Sequence, residues 1–223
     1  MPTPSIPKAL QWCAGLLVCA WLTGCAAPQA GDYSAFRAAS PASILVLPPV
    51  NEAPEVQATA SVLSHATYPL AEAGYYVMPV TLVAETFRQN GMDVADDVHD
   101  LPASRLREIF GADAALYIKI TRYGTTYQVI DSATVVSAQA QLVDLRAGSV
   151  LWSGQASASS KENNSSGGSG LAGMLITALV SQILSTVTDA SHDIAGLATH
   201  RLLSAGGSHG LLYGPRSPLY GKN

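Results

Sequence analysis

The feature that most limits what this chain can become is a nearly unbroken apolar run from Ala9 to Leu22, preceded by one cation, Lys8, and stopped by Leu22-Thr23-Gly24-Cys25. A positive start, a short apolar stretch and small residues before a cleavage point make an export signal, which takes no part in the mature fold. The run holds about 14 residues, fewer than the ~20 that cross a bilayer as a helix, so a retained transmembrane anchor fits less well. Thr23 and Gly24 are small enough to let a peptidase reach the bond before Cys25. Residues 1–24 are therefore expected to leave, and Cys25 to begin the mature chain.

Leu22-Thr23-Gly24-Cys25 closely resembles the bacterial lipobox, which implies a Cys25 thiol alkylated by diacylglycerol and a new amine that is acylated. An ordinary cleaved signal that happens to carry a cysteine is the alternative. Each buried methylene contributes about 0.8 kcal/mol, so three acyl chains would hold the protein essentially permanently. Ala26 follows where an aspartate would favour the inner membrane, and the expected location is the outer membrane, facing the periplasm. Cys13 and Cys19 lie in the discarded segment, so an oxidising compartment receives no free thiol and no disulfide forms.

The remaining length suits one domain. Only Lys8 among the charges is lost, leaving 11 basic against 16 acidic residues, a balance with no electrostatic footprint for nucleic acid or an anionic membrane surface. Residues 25–42, rich in Ala, Ser, Gly and Pro, are expected to be a lipidated flexible tether. A single α/β domain is expected over 43–204, and an irregular tail over 205–223.

Within that domain, Ile44-Leu45-Val46-Leu47 reads as a short central strand covered on both faces and stopped by Pro48-Pro49. Val56, Leu63, Leu70 and Ala73 recur at near-helical spacing, with Pro69 shortening the helix. A strand over 75–80, a helix over 81–89, an acidic loop over 93–101 and a helix over 102–110 closed by Gly111 follow. Leu116, Ile118 and Ile120 alternate with polar residues, as do Val136 to Leu142 and Val150 to Ala158 around a turn at 146–149, giving antiparallel strands. Beyond a glycine-rich loop, apolar residues from Leu171 to Leu197 recur every three or four positions, as in a long C-terminal helix. The expected architecture is α/β, a mixed sheet of about five strands with helices packed on it.

Residues suited to chemistry are sparse. Asp96, Asp97, His99 and Asp100 could hold a divalent ion, but their spacing is neither that of an EF-hand nor of paired histidines, and a solvated loop explains them too. Asp189, His192 and Asp193 stand one helical turn apart, again with a solvated face as the simpler reading. No Gly-x-Ser-x-Gly elbow occurs, and Gly167-Gly168-Ser169-Gly170 lacks the lysine of a phosphate loop. The stretch 163–188 holds no charge, so a helix over 171–187 could touch the bilayer or another copy. Pro48, Pro49, Asn51 and Glu52 offer a partner contact or simply end a strand.

ILVLPPVNEAPEV at 44–56, YPLAEAGYYVMPVTLVAETF at 68–87, LREIFGADAALYI at 106–118 and LLYGPRSPLY at 211–220 resemble a family of Gram-negative lipoproteins of unassigned function that includes a meningococcal antigen candidate. The resemblance spans most of the mature chain. It implies an α/β domain like the N-terminal domain of TolB and the core of CsgG, the curli-secretion lipoprotein, with a CsgG-like lipoprotein as a neighbour. It brings no catalytic residues and no cofactor. The function expected is a non-enzymatic adaptor or assembly factor for other envelope proteins, itself oligomeric. The rivals are a metal-dependent hydrolase using 96–100 and a membrane-contacting assembly through 171–187.

Overall fold

The computed structural model describes residues 32–127, 132–162, 190–207 and 209–222. The apolar run becomes β1 (Ser43–Val46), with Ile44 to Leu47 wholly buried. Pro48 and Pro49 bring no N–H to a ladder, and the strand breaks at them. It resumes as β2 (Val50–Asn51) against the same neighbour: Val46 stands opposite Leu116 and Val50 opposite Lys119, so four steps on one side span three on the other. That extra residue is why the sheet has six strands where the sequence suggests about five.

Helix α1 (Ser34–Ala39) precedes β1, and α2 (Ala58–Glu72) returns the chain to β3 (Tyr76–Val77), parallel to β1. Three helices follow, α3 (Val80–Gln89), α4 (Ala95–His99) and α5 (Ala103–Phe110). Then come β4 (Ala114–Tyr127), β5 (Ser132–Asp144) and β6 (Val150–Ser159), an antiparallel meander, and finally α6 (Ala190–Leu203). The order β3-β1-β4-β5-β6, with β2 also beside β4, joins a parallel half to an antiparallel half. This is the mixed α/β sheet that the alternation of patterns implies.

The two faces are filled differently. On one, α2 and α6 lay Val62, Ala66, Leu70, Ala195, Ala198 and Leu202 onto Leu116, Ile118, Ile120, Val136, Ala138 and Leu142. On the other, α3, α4 and α5 place Val83, Phe87, Val98 and Leu106 over Leu45, Leu47 and Ala115. That second cluster covers β1 and the start of β4 and ends there. Among the described residues, nothing covers the same face of the meander, where Lys119, Gln139, Gln141, Ser153 and Gln155 are exposed.

Three local expectations need correction. The buried face of α2 runs through Ala58, Ser61, Val62, Ala66, Pro69 and Leu70, while Val56 lies before the helix and is 88 % exposed, because the helix begins only at Ala58. Residues 34–39 of the expected tether are helical, since Phe36 is buried against the main core. The acidic loop contains α4, whose Val98 plugs the second cluster.

The tail over 205–222 has no helix or long strand, yet it is bonded to the body. Gly214 N–H and Arg216 N–H donate to Ala73 and Gly74 carbonyls at 2.8 and 3.1 Å, and Leu211 is fully buried. The expected helix over 171–187, Asp189 and the 167–170 loop lie outside the described residues.

Candidate functional site

The uncovered half of the sheet is a shallow cleft of about 630 Å³. Cross-strand register builds its floor: Tyr117 stands opposite Gln141 and Gln141 opposite Ser153, then Lys119 opposite Gln139 and Gln139 opposite Gln155. Because strand side chains alternate, the apolar residues between these positions go to the α2–α6 core and the polar ones come out together. The result is a floor of amides and hydroxyls with a single cation among these six. Lys119 pairs with Glu52 at 3.0 Å, both about half exposed; such a pair contributes at most about 1 kcal/mol.

One wall is His99, at the end of α4. Its Nε2–H donates to the Pro48 carbonyl at 2.9 Å, and its ring meets Tyr117 edge to face at 5.1 Å between centroids. Burial pulls His99 below the usual histidine range, outweighing the Pro48 carbonyl and the charge of Asp96, which favour the proton. A ring so engaged points away from shared coordination with its acidic neighbours. Among the described residues, no three His, Cys, Asp or Glu side chains stand close enough to share a metal.

The expected contact segment is mostly turned inward. Pro49 is buried, and Pro48 spends its carbonyl on His99. Asn51 closes a turn, its Oδ1 accepting from Ala53 N–H at 2.9 Å and its Nδ2 donating to the Glu55 carbonyl at 2.9 Å. Of the four, Glu52 alone is exposed, at the rim of the cleft beside Lys119. Cys25, Leu22, Thr23 and Gly24 lie outside the described residues.

His192, singled out with Asp189 and Asp193, belongs to another cluster. Its ring lies against that of His65 of α2, tilted by 41° with centroids 4.4 Å apart, and its Nδ1 shares a 2.8 Å hydrogen bond with Ser61 Oγ. Gly196 eases the approach, since a Cβ there would lie a tight 3.1 Å from the His65 ring. Burial first, and the neighbouring His192 second, hold His65 below the usual histidine range.

The Gly-Ala-Asp tripeptide has a structural task that the sequence hides. Gly111, at φ 67°, ends α5 in the left-handed conformation that glycine adopts without strain. Asp113 then clamps the sheet. One carboxylate oxygen accepts from Ala42 N–H, Ser43 N–H and Ser43 Oγ at 3.0–3.1 Å, and the other accepts from Arg146 at 2.7 Å. Burial alone would raise its pKa, but those bonds and the Arg146 charge together bring it below the usual carboxylate range.

The profile of the family described as "Putative lipoprotein GNA1162-like" matches residues 31–216. A relative in Neisseria meningitidis serogroup B (strain ATCC BAA-335 / MC58), "Putative lipoprotein NMB1124/NMB1162", is 48 % identical over 204 residues, 91 % of this chain and 94 % of the relative. The crystal structure of lipoprotein GNA1162 from Neisseria meningitidis aligns with a TM-score of 0.54 at 55 % identity, covering 66 % of this chain and all of that one. A PelC dodecamer from Paraburkholderia phytofirmans aligns over 64 % of this chain and 86 % of its own at 21 % identity and a TM-score of 0.39, too distant to bear on assembly.

Proposed function

This chain belongs to the GNA1162-like lipoprotein family, and we propose that it is a lipid-anchored, non-enzymatic adaptor or assembly factor that engages envelope proteins through the open face of its meander. In this reading, Cys25 carries the acyl chains, the destination is the outer membrane and the domain faces the periplasm. The partner class is another envelope lipoprotein, a CsgG-like one following the sequence resemblance, together with further copies of this chain.

One observation carries the proposal: the six residues Tyr117, Lys119, Gln139, Gln141, Ser153 and Gln155 present side by side on a rigid sheet, across three strands. Amides and hydroxyls donate and accept hydrogen bonds without changing protonation between pH 5 and 8. A floor of this kind favours recognition, where each buried polar pair must be matched by the partner, over proton transfer. The depression is open to solvent and its floor is polar rather than apolar, unlike most small-molecule sites.

Photo-crosslinking in living cells tests it. A benzophenone amino acid at Gln139 or Gln155 of the full chain should yield discrete higher-mass species, and the same group at Arg105 on exposed α5 should not. Recovery of monomer alone from all three positions, under conditions that trap other envelope complexes, would overturn the proposal.

A further inference from the structure

A second surface, remote from the meander in its chemistry, is built where the first and last described segments meet. Phe36, Arg37 and Ser40 of the α1 region, with Tyr75, Tyr213 and Tyr220, line a cavity of about 290 Å³. Ser40 Oγ and Tyr220 Oη share a 2.7 Å hydrogen bond, Tyr33 Oη donates to the Gly210 carbonyl at 2.6 Å, and Tyr75 Oη donates to that of Leu212 at 2.6 Å. Around it Tyr76, Leu219 and Tyr220 are 41–51 % exposed. Arg216 lies over the Tyr76 ring at 5.5 Å, and Arg37 near the Tyr33 ring at 6.0 Å. Residues 206–223 contain Arg216 and Lys222 and no carboxylate side chain, in a chain whose mature balance is acidic. The nearby Asp32 carboxylate accepts from Ser34 N–H at 2.9 Å, which favours its ionised form, and it offsets part of the Arg37 charge.

We propose that this surface, formed by Arg37, Arg216 and Lys222 among exposed tyrosines, seats the domain on anionic phospholipid headgroups. Tyrosines place an apolar ring and a polar tip at the level where headgroups meet acyl chains, and arginines pair with phosphate in a forked geometry. The inference rests on the anchoring of Cys25. Eight peptide steps separate Cys25 from Tyr33, a reach of at most about 28 Å, so a lipid on Cys25 would tether the domain through the α1 end of the chain. Each cation close to an anionic surface adds about fivefold to the association.

The test uses the full lipidated protein, purified from membranes and reconstituted in vesicles of phosphatidylcholine alone or mixed with phosphatidylglycerol. Amide exchange over residues 33–40 and 211–222 is expected to slow several-fold only in the anionic vesicles, and to recover in high salt. The substitutions Arg37→Gln, Arg216→Gln and Lys222→Gln together should abolish the slowing while exchange in β4 and β5 stays unchanged, which excludes loss of the fold. Equal exchange in both vesicle types, matching a Cys25→Ser chain in buffer, would overturn the inference. Mass measurement of the same preparation keeps the two questions apart: if the thiol is bare, it is coupled to a maleimide-bearing lipid and the comparison repeated.

Discussion

Asp113 collects four hydrogen bonds from two separated segments, Ala42 and Ser43 at the entry to β1 and Arg146 in the β5–β6 turn. Asp113→Ala strands the Ala42 and Ser43 donors and should lower stability by about 2–4 kcal/mol in urea titrations, with Asp113→Asn losing less. Because its folded pKa is depressed, the carboxylate's contribution is fully present above its ordinary value of 3.8 and disappears as pH falls through the lowered one. Arg146→Ala should cost well under half as much, since that guanidinium is more than half exposed. The histidines act over a higher range. His65 and His99 both have pKa values lowered in the fold, so the unfolded chain takes up their protons first. Stability should therefore decline as pH drops below about 6.5 and level off beneath the folded values. Thermal melts of His65→Gln and His99→Gln should show a shallower decline; a slope identical to that of the parent would remove these residues as its cause. None of this could be read from the sequence, where Asp113 sits in an unremarkable tripeptide and His65 is one histidine among five: hydrogen-bond partners 70 positions away leave no local trace.

At the scale of elements, legibility followed periodicity. The meander strands alternate over ten or more residues, and their inward and outward sets match the pattern of Val136 to Leu142 against Gln139 and Gln141. Helix α2 was legible in part: Leu63, Leu70 and Ala73 pack on the core as their spacing implies, but the small Ala58, Ser61 and Ala66 of its buried face gave no apolar signal, and Val56 lies outside it. Helix α1 has six residues and a single buried anchor, Phe36, too little for any period to register. The polar floor was visible residue by residue, but its being left open was not, because coverage depends on where α3, α4 and α5 stop. The tail's docking also escaped detection, being held by backbone carbonyls at the end of α2. Gly74, at φ 94°, makes that docking possible, as a Cβ there would lie 2.4 Å from Ser217 N. Gly74→Ala should release residues 214–222, read as faster proteolysis of the tail and a loss of about 1–3 kcal/mol. In β6, a Cβ on Gly154 would lie 2.3 Å from the Trp152 ring. Gly154→Ala should thus displace the indole and break its 2.9 Å bond to the His209 carbonyl, shifting tryptophan emission; an unchanged spectrum would show that the strand absorbs the methyl without moving Trp152.

Among the described residues, the governing asymmetry is one sheet face packed by α2 and α6 and the other covered only as far as β4. If the open half is a recognition surface, Gln141→Glu should abolish recovery of partners crosslinked from Gln155, while an exposed position such as this leaves stability within about 0.5 kcal/mol. Partner recovery equal to that of the parent would place the contact elsewhere. Beneath both proposals lies the anchoring proposed at Cys25, which would confine the domain to two dimensions and so raise its effective concentration for membrane neighbours. Intact-mass analysis of the protein purified from its own membranes addresses that step most directly. The account predicts a chain beginning at Cys25 that carries diacylglycerol on sulfur and a further acyl group on nitrogen; an unmodified thiol, or any other first residue, would contradict it.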